Sequence, residues 1–353
     1  MAENKIQKIL RETGSEAIVT ESEDFRRYLT GFGGTDGIFV ADKESARLYT
    51  DARYFEAAEK ALAGTDVQAV LLQSSLQVRE VLKAYKSIGV AFCRTNLEQA
   101  KEYESLGLEL LDAMPALSRS MAVKSKEELE NIQKACTAAE AGFLKLLPEL
   151  KEGMTESEAA ALLEYNMRVA GASGTSFDTI CAFGAGGSIP HYETGNVKLK
   201  FGDVILIDFG CKVNGYCSDI TRTFLFGDDG KHEEFKKNYN IVLGAHQKVL
   251  DEGHAGMLGR EADAIARNYL RDHGGLDKYF THSLGHGIGL NIHEFPPRLS
   301  SGSNDVLAEG MVFSDEPGVY FAGEYGIRIE DSVTIADGKF RSFMKTDKKL
   351  MIL

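Results

Sequence analysis

Two aspartates in one apolar hairpin are the residues of this chain best placed to do chemistry. Residues 202–226 read GDVILIDFGCKVNGYCSDITRTFLF. Val204, Leu206 and Asp208 share one parity, and Ile205, Ile207 and Phe209 share the other, which is the periodicity of a strand. Asn214-Gly215 is the strongest short-range signal for a two-residue type I′ turn. With that turn, Val213 faces Tyr216, Cys211 faces Ser218 and Gly210 faces Asp219. Asp208 and Asp219 then lie diagonally on one face, roughly 7–8 Å apart at the backbone. Gly210, between them, has no side chain to fill the gap. The bland reading is a solvated sheet face, but the flanks are apolar: Val204, Ile205, Leu206, Ile207, Ile220 and Phe224. Like charges on a buried face raise each other's pKa unless a cation sits between them. The hairpin therefore asks for a metal ion or a base.

From Gly153 onward the chain repeats itself loosely after about a hundred residues. GMTESEAAALLEYNMRVAG (153–171) is similar to GMLGREADAIARNYLRDHG (256–274). GDVILIDFG (202–210) matches GMVFSDEPG (310–318), and Asp219-Ile-Thr-Arg-Thr223 lines up with Glu330-Asp-Ser-Val-Thr334. Each half so contributes an acid in the same two places: Asp208 and Asp219, then Glu316 and Glu330. The spacing implies a pseudo-two-fold domain whose two β layers meet at one centre. Asp315, beside Glu316, is expected to point away from that centre by strand alternation.

Histidines gather near the same centre. THSLGHGIGLNIHEF carries His282, His286 and His293, and glycines on both sides of His286 allow close backbone approach. His232, His246, His254 and His273 stand in helical, charged or loop-like surroundings and are expected at the surface. Four carboxylates and one imidazole carry too much negative charge for one divalent ion, and two ions would balance them. The oxygen-rich set without thiolate favours manganese, with cobalt or zinc as alternatives. Paired ions hold a hydroxide and polarise a carbonyl, the chemistry of amide hydrolysis. His191 and His293 are then free to donate hydrogen bonds to an oxyanion and substrate.

The remaining chain must position these groups. Its 353 residues suggest two domains. A net charge of −13 argues against a nucleic-acid partner held through phosphates. No apolar leader and no stretch of about 18 apolar residues is present, so neither export nor membrane insertion is expected and the protein reads as cytoplasmic. The odd set Cys93, Cys136, Cys181, Cys211 and Cys217 has no CxxC spacing and reads as buried free thiols.

Residues 1–120 read as an α/β domain. Strands are expected at Ala17–Thr20, Gly37–Val40, Leu48–Thr50, Val67–Leu72 and Val90–Phe92, and helices at Ala52–Leu62, Leu76–Tyr85 and Leu97–Leu111. The glycine-rich loop 31–37 lacks the Gly-Lys-Ser/Thr ending of a phosphate loop and reads as a tight turn. A boundary falls near Met114–Ala122, where Pro115 is expected to break the preceding helix. Ser125-x-x-Glu128 then opens a new helix as a capping box.

The ordered set Asp208, Asp219, His286, Glu316 and Glu330 resembles the metal-ligand signature of the dinuclear pita-bread metallopeptidases (family M24). That group holds methionine aminopeptidase, Xaa-Pro aminopeptidase, prolidase and the metal-free creatinase. The resemblance runs through SFDTI, PHYETG, GDVILIDFG, GYCSDITRTF, HSLGHGIGLNIHE, EPGVY and GIRIED, and the linker MAVKSKEELENIQKA is similar to the family's entry helix. It implies a creatinase-like α/β domain over residues 1–120 and an α+β pita-bread catalytic domain over 121–353.

The resemblance also implies roles. Asp208 and Asp219 would hold one ion, His286 and Glu316 the other, and Glu330 both. Glu316 would also shuttle the proton of a metal-bridging hydroxide. His293 would stabilise the tetrahedral intermediate, His191 would position the substrate and His282 would line a proline pocket. Arg328 would hold the substrate-binding site in place. The stretch YLTGFGGTDGIFV, followed by YTDARYFEAAEKAL, is similar to the Xaa-Pro aminopeptidases. The expected activity is therefore removal of an N-terminal residue that precedes proline in a peptide, with a prolidase restricted to Xaa-Pro dipeptides as the alternative. A silent peptide-binding module on the same fold is the reading outside enzymes. A homodimer is also implied, with Arg53 or Tyr54 reaching towards the neighbouring subunit's site.

Overall fold

The structure is a computed structural model and describes residues 4–353. The chain folds as two compact units, one ending at Met121 and the other running Ala122–Leu353. The first unit holds one six-stranded sheet of β1 (Ala17–Thr20), β2 (Ile38–Ala41), β3 (Ala46–Thr50), β4 (Val67–Leu71), β5 (Ser87–Val90) and β6 (Glu109–Asp112). Their order is β4-β3-β2-β1-β5-β6. The helices are α1 (Lys5–Thr13), α2 (Glu23–Thr30), α3 (Phe55–Leu62), α4 (Ser75–Leu82), α5 (Leu97–Ser105) and α6 (Met114–Ala122). Ala17, Val19, Val40, Tyr49, Ile88 and Val90 on the strands bury against Val78 and Leu82 of α4 and Tyr103 of α5. The buried Arg26 guanidinium donates to the carbonyls of Glu21, Gly34 and Gly37, so a side chain holds the glycine-rich loop as a turn. Arg53 pairs with Asp36 and Asp51, and the Tyr54 hydroxyl meets that of Thr35.

Four expectations for this unit are corrected, the first at Cys93, which is exposed rather than buried. Leu97–Leu111 is not one helix: α5 stops at Ser105, Gly107 takes a left-handed φ of 82°, and β6 follows. The strand expected at Val90–Phe92 lies earlier, at Ser87–Val90. Pro115 ends no helix but stands in the first turn of α6, where its missing N–H removes no intrahelical bond.

In the second unit, α7 (Lys126–Leu146) starts from the Ser125–Glu128 box: Glu128 N–H donates to Ser125 Oγ, and Ser125 N–H donates to Glu128 Oε2. α8 (Glu156–Val169), α9 (Glu233–Glu252) and α10 (Gly259–Gly274) follow. The repeat seen in the sequence reaches the helix starts: Thr155 N–H donates to Glu158 Oε2, and Leu258 N–H donates to Glu261 Oε2, both at 2.8 Å. The strands are β7 (Gly174–Thr175), β8 (Ile180–Phe183), β9 (Asp203–Phe209), β10 (Cys211–Val213), β11 (Tyr216–Cys217), β12 (Ile220–Phe226), β13 (Gly285–Gly287), β14 (Glu294–Leu299), β15 (Val312–Asp315), β16 (Gly318–Phe321), β17 (Tyr325–Arg328), β18 (Asp331–Ala336) and β19 (Lys339–Ser342).

The sheet β12-β9-β8 has its counterpart in β18-β15-β13, the middle of the five-stranded sheet β14-β13-β15-β18-β19. α7 and α8 pack one core behind the first sheet, with Ile132, Phe143, Leu163, Ile205, Ile207 and Ile220. α9 and α10 pack another behind the second, with Tyr239, Val242, Ala266, Leu270, Phe313 and Val333. An isolated bridge between Thr221 and Glu330 joins the two sheets. Among the described residues no helix is long and apolar enough to cross a membrane.

The hairpin keeps the register set by its turn. Asn214 and Gly215 have φ of 51° and 89°, and Val213 pairs with Tyr216. Further along, Phe209 pairs with Ile220 and Asp208 with Thr221. The role of Gly210 differs from the expected gap. A Cβ there would lie 1.9 Å from the Ser218 carbonyl oxygen, so the glycine lets the two arms approach. Gly210→Ala should lower stability by about 1–3 kcal/mol or more, because backbone has to move. Gly302→Ala, where a Cβ meets nothing within 4 Å, should be near neutral. Urea unfolding of both variants checks this; equal midpoints would contradict it.

Candidate metal centre

Strand ends at the seam between the two sheets supply the acids. Asp208 lies near the end of β9 and Asp219 just before β12. Glu316 follows β15, Glu330 precedes β18, and His286 sits in the middle of β13. These five, with His191, His282, His293 and Arg328, line one cavity of about 650 Å³. Ligand atoms of Asp219, His286 and Glu330 all lie within 4.8 Å of one another. His286 Nε2 is 3.5 Å from Asp219 Oδ2 and 3.5 Å from Glu316 Oε1. The remaining oxygens are partly held: Thr221 Oγ1 donates to Glu330 Oε2 at 2.5 Å and Ser314 Oγ to Glu316 Oε1 at 3.0 Å. Arg328 donates to Asp208 Oδ2 at 2.7 Å, whereas Asp208 Oδ1 is buried with no hydrogen-bond partner among the described residues.

The electrostatics ask for cations. Burial, then the charges of Glu330, Asp208 and Glu316, holds the Asp219 carboxyl well above its usual range. Burial and the neighbouring Glu316 and Asp208 do the same to Glu330. Glu316 is pushed up to about 8, mainly by burial and against the pull of Arg328. Burial raises Asp208 too, despite Arg328 beside it. Burial and His293 lower His286 to about 4, so its ring is neutral at pH 7. His286 Nδ1 lies 3.1 Å from the Gly287 carbonyl oxygen, which leaves the Nε2 lone pair facing the acids. A neutral imidazole, four crowded carboxylates and an orphaned buried oxygen fit divalent ions, and the oxygen-rich donor set suits manganese or cobalt as well as zinc.

The other groups fall around this centre. His191 and His293 are exposed in the cavity. His282 Nε2 is 2.9 Å from the Tyr320 hydroxyl, and burial with nearby Arg328 lowers the ring to about 3. Arg328 is buried and spends its donors on Asp208, on Thr221 Oγ1 at 2.9 Å and on Tyr320 at 2.7 Å. Asp315 turns away from the acids towards His246. His246 is itself a correction: it is fully buried on α9, with Nδ1 3.0 Å from Asp315 and Nε2 3.5 Å from Asp331. His254 and His273 are exposed and His232 is half-buried.

Sequence reasoning missed Thr221 and Ser314, although a period of two places them on the faces of Asp219 and Glu316. It also missed Tyr320 and Arg298, which no local pattern marks. Arg298 lines the cavity, is exposed, stacks 4.3 Å over the Phe295 ring and has no ion pair among the described residues.

Residues 130–337 match metallopeptidase family M24, and residues 4–120 match the creatinase/prolidase N-terminal domain. The chain is 35% identical over 326 residues to the Xaa-Pro dipeptidase of Pyrococcus furiosus, covering 91% of each. Its fold is similar to the solved Xaa-Pro dipeptidase of Bacillus anthracis, with a TM-score of 0.92, 34% identity and 99% of each chain covered. It is also similar to the solved X-Pro aminopeptidase of Thermotoga maritima, with a TM-score of 0.90, 32% identity, and 98% of this chain and 99% of that one covered.

The crowded acids predict a metal-dependent response to pH. Glu316 at about 8 when folded, against about 4.3 unfolded, binds its proton only in the folded state between those values. Asp219 and Glu330 act in the same direction. His286 and His282, lowered to about 4 and about 3, oppose this only below the ordinary histidine value of about 6.5. His246, raised to about 9 by Asp315 and Asp331 against its burial, adds a fall that ions at the acids do not remove. The chelator-treated chain should therefore lose melting temperature as pH rises from about 6.5 to 8, and excess Mn²⁺ should flatten most of that slope. Equal slopes with and without Mn²⁺ would contradict it.

Proposed function

The chain belongs to metallopeptidase family M24, and from that premise we propose that it hydrolyses Xaa-Pro dipeptides. Asp208, Asp219, His286, Glu316 and Glu330 would hold two divalent ions, manganese by preference. The observation that carries the dipeptide reading is Arg298, an exposed cation on the cavity wall with no ion pair of its own among the described residues. A dipeptide presents a free carboxylate within one residue of its scissile bond, and a guanidinium recognises a carboxylate with charge-assisted, bidentate hydrogen bonds. A longer peptide presents a neutral amide there. The Xaa-Pro dipeptidase names of the two relatives above support the same choice. The second reading, the Xaa-Pro aminopeptidase first expected, draws on the Thermotoga maritima relative and on the YLTGF…TD-x-RY stretch.

When bound, the ions would activate a water and polarise the scissile carbonyl. The protein groups divide the remaining work. His191 and His293, open to the cavity, would donate to the carbonyl oxygen as it gains charge. Glu316 would take a proton from the attacking water and return it to the leaving proline nitrogen. His282, steadied by Tyr320, would flank the proline ring. Arg328 would act through Asp208, keeping that carboxylate oriented rather than touching substrate. Phe177, Ile180 and Ile292 on the wall would receive the side chain of the first residue. A homodimer and a cytoplasmic setting belong to the same proposal.

The test is hydrolysis with Mn²⁺ of an Xaa-Pro dipeptide, an Xaa-Pro-Xaa tripeptide and an Xaa-Ala-Xaa control. The dipeptide should be cleaved best and the control not at all, and chelator should abolish turnover. Arg298→Met should raise KM for the dipeptide about tenfold or more, the worth of one charge-assisted bond, with a smaller effect on the tripeptide. Preferred cleavage of the tripeptide would move the assignment to aminopeptidase. No cleavage by the metal-loaded protein would point to a silent binding module.

A further inference from the structure

Behind the acids, the two halves of the repeat are built differently. In the first half, the residue before Asp208 is Ile207 and the residue after Asp219 is Ile220, and both are buried against α7 with Phe143. In the second half, the equivalent neighbours of Glu316 and Glu330 are Asp315 and Asp331, both with no exposed surface. These two aspartates are direct register partners on β15 and β18. Like charges directly opposite each other destabilise a sheet, and Ile207 and Ile220 show that the equivalent positions of the first half carry no charge. Asp331 is well supplied, by Arg222 at 3.0 Å, Lys348 at 2.8 Å and the Ser342 hydroxyl. Among the described residues, the one ion-pair partner of Asp315 is His246.

We infer that His246 is a positioning residue for the metal centre, a clamp whose ring stands between Asp315 and Asp331, offsets the repulsion of the two paired carboxylates and so fixes the spacing of the adjoining acids Glu316 and Glu330. The ring is fully buried and lies between the two carboxylates, Nδ1 towards Asp315 and Nε2 towards Asp331. By strand alternation, Asp315 and Glu316 face opposite sides, so a shift of Asp315 on the rear moves Glu316 on the front. Groups that orient the ligands of a metal change its affinity without touching it. The inference rests on the proposed metal ligands.

Mn²⁺ titration by calorimetry, on chain stripped with chelator, separates the two claims, with the visible spectrum of the Co²⁺-loaded chain as second readout. Wild-type chain should take up the ion; no uptake would overturn the metal reading and this inference with it. His246→Gln should bind Mn²⁺ about ten- to a hundred-fold more weakly while staying folded, with an altered Co²⁺ spectrum. Adding Asp315→Asn to that variant removes the stranded charge and should restore most of the affinity, a rescue that a loss of packing would not show. Wild-type affinity in H246Q, or a loss that D315N leaves in place, would overturn the clamp. If H246Q does not fold, the double variant carries the test: folded with near wild-type Mn²⁺ affinity supports the clamp, and unfolded or folded with the affinity lost overturns it.

Discussion

Four carboxylates converging on one cavity, Asp219 and Glu330 buried and Asp208 and Glu316 half-buried, are the constraint on which the second unit depends. Removing such charges from water costs several kcal/mol each unless opposite charge or hydrogen bonds replace the solvent. The chain itself provides Arg328 to Asp208, Thr221 to Glu330 and Ser314 to Glu316. These contacts orient the acids but leave Asp219, Glu316 and Glu330 with raised proton affinity. A fold that accepts this strain gains a place that suits divalent ions, with oxygens already in position.

The repeat explains how the strain is carried. Two helix-backed sheets meet at the Thr221–Glu330 bridge, so the acids sit at the seam rather than inside either core. Two buried arginines cross that seam in opposite directions. Arg328, on β17, reaches Asp208 in the first half. Arg222, on β12, donates to the Glu330 carbonyl at 2.6 Å and to Asp331 at 3.0 Å in the second. Breaking a buried, hydrogen-bonded ion pair typically costs about 3–5 kcal/mol, so each crossing resists a slip of one half against the other. The Asp331 crossing also joins the seam to the charged layer around His246.

Much of this is legible in the sequence, for physical reasons. A type I′ turn sets a hairpin register, so the relation of Asp208 to Asp219 follows from Asn214-Gly215. The repeat then locates Glu316 and Glu330, because pseudo-symmetric halves place equivalent residues at one axis. His246 is the counterexample, although its spacing holds the answer: Val242 and Val249 lie one turn away on the buried face of α9. Its polar type suggests the surface, and its period places it in the core. Gly210 reads as open space in the sequence, whereas the backbone contact it permits is visible only in three dimensions. Arg298 lies beyond such reasoning, since the cavity that gives it meaning is assembled from segments distant in sequence.

The most direct test of the account is a crystal of the chain grown with Mn²⁺, with anomalous scattering measured at the manganese edge. Two strong peaks are expected in the cavity, both within bonding distance of the Asp208, Asp219, His286, Glu316 and Glu330 set. Absence of any peak there, or manganese bound only elsewhere, would contradict it.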